Sequence, residues 1–179
     1  MYRPDGPVEL RPVGEVEFVQ GLAAASASGI YGPSRAAAAI IGHADLKLGA
    51  HVAPVLEALQ AASPNRFRGI QHNVTWSPDP AVDNRESEGI LANATFREGA
   101  KVLRQKGLSL DVMISFPQMS EVADFARAVP ELLIILNHIG ALNRVGMYAN
   151  QEDEVRAVWQ AGVAAVAPRE PSAVRDADP

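Results

Sequence analysis

Four short apolar runs, each followed by a segment of helical period, predict an α/β protein built on a parallel sheet. The run at 132–140 (LLIILNHIG) is almost continuously apolar and then turns polar at Asn137-His138, as a strand buried on both faces does. The run at 108–115 sets Leu108, Leu110, Val112 and Ile114 against Ser109, Asp111, Met113 and Ser115, the period of a strand with two different faces. Strands alternating with helices imply parallel pairing under a helical layer.

The elements follow in order. Residues 1–14 hold three prolines and two glycines and read as loop. Residues 15–28 suit a helix stopped by Gly29. An apolar run at 36–44 is long enough for a buried strand, and 48–62 is helical in period, with Val52, Val55, Leu56 and Leu59 on one stripe. Pro54 falls in its first turns, where proline is tolerated. FRGIQH (67–72) reads as the second strand. The long polar stretch 73–92, with Pro78, Asp79, Pro80, Asp83 and Asn84, has the length of a functional or disordered loop. Asn93 caps a helix that Gly107 stops, and further helices cover 118–129 and 152–167. The partition is thus a loop at 1–14, an α/β domain at 15–167 and a disordered tail at 168–179, too rich in proline and charge to order itself.

A net charge of −5 and the lack of any Lys/Arg run argue against nucleic-acid binding. With no cysteine there is neither a disulfide framework nor thiol chemistry. No window reaches the roughly 18 apolar residues of a membrane helix, so the expected setting is cytoplasmic.

His138 leads the candidate site residues. It ends the most apolar strand, and parallel α/β folds bind ligands at the carboxyl ends of strands. It could ligate metal, act as base or donate a hydrogen bond, or simply shape its loop. Strict alternation through 67–72 puts Arg68, Ile70 and His72 on one face. There Arg68 would either recognise a substrate carboxylate or pair with Asp111. His72, which ends its strand, ranks above His43 and His51. Gln118 offers an amide to substrate or to its own helix N-terminus, and Tyr31 offers a loop hydroxyl.

The phrases PheArgGlyIle (67–70), LeuSerLeuAsp (108–111) and IleIleLeuAsnHisIleGly (134–140) are familiar together. So are GlyHisAlaAspLeu (42–46), PheArgGluGly (96–99) and AlaSerGlyIleTyrGly (27–32), in order along the chain. The ordered series resembles the amidohydrolase-related family, in the branch of 2-pyrone-4,6-dicarboxylate lactonase and similar lactonases. That resemblance implies a TIM-like (β/α)8 barrel that hydrolyses C–O or C–N bonds of a small carboxylate-bearing substrate. A divalent metal such as Zn or Mn is common in the family, and some lactonases use none. It further implies that His138 is the internal active-site histidine and that Arg68 lies on an arginine-bearing strand that grips carboxylates. Gln71 stands where relatives usually have a second arginine, and Phe116 where many have a histidine. The family's first-strand HxH pair and last-strand Asp have no counterpart here, and a barrel takes about 250 residues. The expectation is therefore a partial barrel of about four strand–helix units, an internal fragment inactive as it stands and with no metal ligands of its own. The rival expectation is a non-catalytic half-barrel that binds, or forms homo-oligomers through its exposed sheet edges.

Overall fold

The computed structural model describes residues 1–79 and 85–167. Pro80, Asp83 and Asn84 of the long loop and the tail at 168–179 lie outside the described residues. Four strands form one sheet in the order β1 (Ile40–Gly42), β2 (Phe67–Asn73), β3 (Ser109–Met113) and β4 (Ile134–Leu136). Every pairing is parallel. Helices α1 (Val13–Ala27), α2 (Ala53–Ala62), α3 (Ala94–Gln105), α4 (Met119–Ala128) and α5 (Glu152–Val166) alternate with the strands. This is the α/β architecture that the periodicity predicts, in the partial TIM-barrel form that the resemblance implies.

One sheet face is packed and the other open. Leu110, Val112 and Ile114 are fully buried together with Ile70, Leu56, Leu59, Phe96 and Leu103 from β2 and the helices. Asp111 and Met113, on the alternate face of β3, stay half-buried, and Ile41 on β1 and Ile135 on β4 are exposed. The amphipathic α3 shows why the helices take one side. Phe96, Gly99, Ala100 and Leu103 form its buried stripe, and Asn93 caps it by accepting from the Phe96 N–H at 3.1 Å.

The structure departs from simple periodicity at three places. The helix expected over 48–62 is a 3₁₀ segment, Leu46–Val52, followed by α2. Gly49 breaks it with φ 58°, and a side chain there would meet Thr95 of α3 at 2.8 Å. The stretch 73–92 is not wholly a polar excursion, because Val74, Ile90 and Leu91 are buried in the core. On β2 strict alternation fails. Ile40 pairs with Phe67 but Ile41 with Gly69, so Arg68 is the extra residue of a bulge. Arg68 is exposed, while Phe67, Ile70 and His72 are buried. The shared face expected for Arg68, Ile70 and His72 is therefore corrected by one inserted residue.

Candidate active site

In a parallel sheet all C-terminal strand ends open on one side, and loops there can converge on a ligand. Here those ends are His43 after β1, Asn73 on β2, the 114–118 segment after β3, and Asn137-His138 after β4.

His138 occupies this rim and is exposed. Its backbone is unusual. His138, Ile139, Gly140 and Ala141 have φ of 52°, 50°, 74° and 21° in succession. Left-handed backbone costs non-glycine residues about 1 kcal/mol or more each, so surrounding contacts must hold the run in place. The Gly140 N–H donates to the Asn137 carbonyl at 3.2 Å, and the Phe116 N–H donates to the Ala141 carbonyl at 3.4 Å. Strain of this kind clusters at functional sites, and here it sits on the residue that position singles out.

The other candidates lie elsewhere. Arg68 sits at the opposite end of its strand, donating to the carbonyls of Phe67 at 3.0 Å and Asn65 at 2.7 Å rather than to Asp111. By register it stands six residues below His138, about 20 Å along the strand direction. A small substrate cannot touch both. Tyr31 is exposed in the loop leading into β1. Gln118 is buried and fully engaged: its Oε1 accepts from the N–H groups of Trp76 at 2.7 Å and Ser115 at 3.1 Å, and its Nε2 donates to the Val74 carbonyl at 2.9 Å. Asp111 lies mid-sheet on the open face between Gln71 and Ile135. Burial holds its carboxyl above the usual range, partly offset by the Ser109 hydroxyl.

His72 turns into the helical layer. Its ring meets Phe96 edge-on at 5.2 Å, and its Nδ1 lies 3.3 Å from the Ala44 carbonyl oxygen. Burial, then the neighbouring His43 ring 5.6 Å away, push its pKa below the ordinary histidine value. A folded pKa below the unfolded one means that folding opposes protonation. Stability is complete above about pH 6.5 and falls as the pH drops through the folded value. His72→Gln keeps a donor for Ala44 and cannot charge. Melting temperatures followed from pH 7 to 5 should fall less steeply for this variant than for the parent. An unchanged slope would assign the acid sensitivity elsewhere.

Composition alone did not reveal a clasp that ties the rim loops together. The buried Asp79 carboxylate accepts from the Met147 N–H at 2.7 Å, and Gly146 beside it has no room for a side chain. Phe116 and Tyr148 stack edge to face at 5.0 Å, and the Thr75 hydroxyl donates to the Met113 carbonyl at 3.0 Å. His43, ranked low from its sequence position, stands at this rim with its Nδ1 3.1 Å from the Gln71 carbonyl oxygen. The signal for it was the strand end at Gly42, masked by the length of the apolar run before it. Among the described residues no three His, Asp or Glu side chains come together as a metal-binding group. The divalent ion that the resemblance implies thus finds no such group among the described residues. No helix among them is long and apolar enough to cross a membrane.

A four-stranded parallel sheet with helices on one face and loops gathered at its C-terminal rim is the architecture of part of a (β/α) barrel. The chain belongs to the Amidohydrolase family, whose model matches residues 2–174. The uncharacterized protein y4mH of Sinorhizobium fredii (strain NBRC 101917 / NGR234) is 32% identical over 130 residues, covering 72% of this chain and 40% of y4mH. An amidohydrolase from Burkholderia multivorans, solved with bound HEPES, superposes with a TM-score of 0.61 at 21% identity, over 85% of this chain and 46% of that one. An amidohydrolase from the same organism with bound zinc gives 0.61 at 22%, over 85% and 45%. These likenesses show the fold. The chain spans less than half the length of each of these relatives.

Proposed function

We propose that this chain supplies the His138-bearing part of a hydrolase site of lactonase type, acting on the C–O or amide C–N bond of a small carboxylate-bearing molecule. The observation that carries the reading is His138 itself, exposed at the C-terminal end of β4 on a left-handed backbone. Family membership supports it. A histidine N–H placed there polarises the substrate carbonyl. Water adds to the carbonyl carbon, the π electrons move to oxygen, and the tetrahedral species collapses with release of the ring oxygen or amine, which takes up the proton that the water gives up. The outcome expected of these 179 residues by themselves is binding without turnover.

The test combines a lactone and amide hydrolysis screen, with and without Zn²⁺ or Mn²⁺, with NMR titration of the same compounds. Carboxylate-bearing lactones should shift the His138 resonances without hydrolysis. His138→Ala should weaken binding about tenfold, the worth of one good hydrogen bond, with the melting temperature unchanged. Binding that ignores His138, or turnover that survives its loss, would overturn the reading.

One observation favours a second reading, a non-catalytic half-barrel that pairs with its own copy. Among the described residues β1 and β4 each pair on one side only, and Ile41, Leu133 and Ile135 lie exposed on and beside the open face. Sedimentation of the same samples separates the two. A cooperatively melting dimer with no lactone binding supports the module, and a lactone-binding monomer sinks it.

A further inference from the structure

The left-handed run at 138–141 needs an external hold, and α5 provides one. The indole N–H of Trp159 donates to the Ile139 carbonyl at 2.7 Å. Met119, at the start of α4, lies between two glycines. A Cβ on Gly140 would come within 2.7 Å of its Sδ, and one on Gly162 within 2.5 Å of its Cβ. Because neither glycine carries a side chain, the histidine loop and α5 both close on Met119. That closure brings Trp159, one turn before Gly162, onto the Ile139 carbonyl.

We infer that Trp159 is a positioning residue for His138, its indole hydrogen bond fixing the left-handed backbone that aims the imidazole from the β4 rim. The functional consequence rests on the proposed role of His138, but the positioning does not. Ile139 is the residue after His138, and its carbonyl orientation is fixed by the Ile139 ψ angle and the plane of the following peptide. Release of that carbonyl lets two non-glycine residues leave a costly region for the helical or extended basins. The Cα–Cβ bond of His138 would then turn with its backbone.

The experiment is NMR on the full 179-residue chain, isotopically labelled, comparing the parent with Trp159→Phe. Phenylalanine keeps the ring contact and deletes the donor. The variant should shift the His138 side-chain and backbone signals and speed amide exchange at Ile139–Ala141 about tenfold. The signals of His43, His51 and His72 should stay in place. A general loosening would move all four histidines alike, so this selectivity separates positioning from mere structural support. Unchanged His138 signals would overturn the inference. Should Trp159→Phe fail to fold, the parent decides the matter: the Trp159 indole proton should exchange slowly with solvent, and rapid exchange overturns the inference. Failure of the lactone titration with these shifts present would sink the hydrolase reading and leave the positioning intact.

Discussion

Replacing Gln118 with leucine should lower the stability of the fold by about 4 kcal/mol, an effect readable as a fall in the urea midpoint. The side chain is 1% exposed and its amide serves three backbone groups from two segments distant in sequence. Leucine fills a similar volume but leaves the Trp76 and Ser115 N–H groups and the Val74 carbonyl without that partner. Each buried polar group left unpaired costs about 1–3 kcal/mol, which sets the scale. The loss would also be local. Residues 73–77 leave β2 for the rim, and Gln118 ties them to the segment after β3. Amide exchange at Trp76 should accelerate ahead of global unfolding. Gln118→Glu gives the sharper contrast, because a carboxylate still accepts from the two N–H groups but cannot donate to Val74 unless protonated. A leucine variant within about 1 kcal/mol of the parent would show that water or loop rearrangement replaces the amide.

This network also shows how far the sequence could be read. Gln118 was visible as a polar residue at a helix start, and sequence left open whether it served a substrate or its own helix. The deciding fact is contact with Val74 and Trp76, more than forty residues away, and no local pattern encodes that. The strands β3 and β4 were legible because burial on alternate or both faces writes a period into the residues. The regular half of β2 was legible for the same reason. Its bulge was not, since one inserted residue leaves composition unchanged while moving Arg68 away from the face of Ile70. His138 was singled out as a candidate from the abrupt polar end of an apolar run, and it does stand at that strand end. Its left-handed backbone was hidden, because no local pattern requires it and tertiary contacts around Gly140 and from Phe116 and Trp159 hold it there.

Gly69→Ala should be among the most damaging methyl additions at the described glycines, lowering stability by about 3 kcal/mol or preventing folding. Gly69 follows the bulge and pairs with Ser109 on the neighbouring strand. A Cβ there would fall inside contact distance of both the Ser109 hydroxyl and the Ser109 backbone carbonyl. A side chain can rotate aside, but a carbonyl in a parallel ladder cannot move without breaking the β2–β3 pairing that carries the core-facing Ile70, Leu110 and Val112. Two comparisons isolate that cause. Gly21→Ala, on the exposed face of α1 with open space around it, should stabilise by about 0.5–1 kcal/mol, as glycine-to-alanine changes in helices do. Adding Ser109→Gly to Gly69→Ala should recover only part of the loss, because it removes the hydroxyl and leaves the carbonyl. Full recovery would place the crowding in the side chain alone. A Gly69→Ala protein as stable as the parent would mean that the bulge relaxes and that the register from Gly69 to Asn73 is not fixed by this contact.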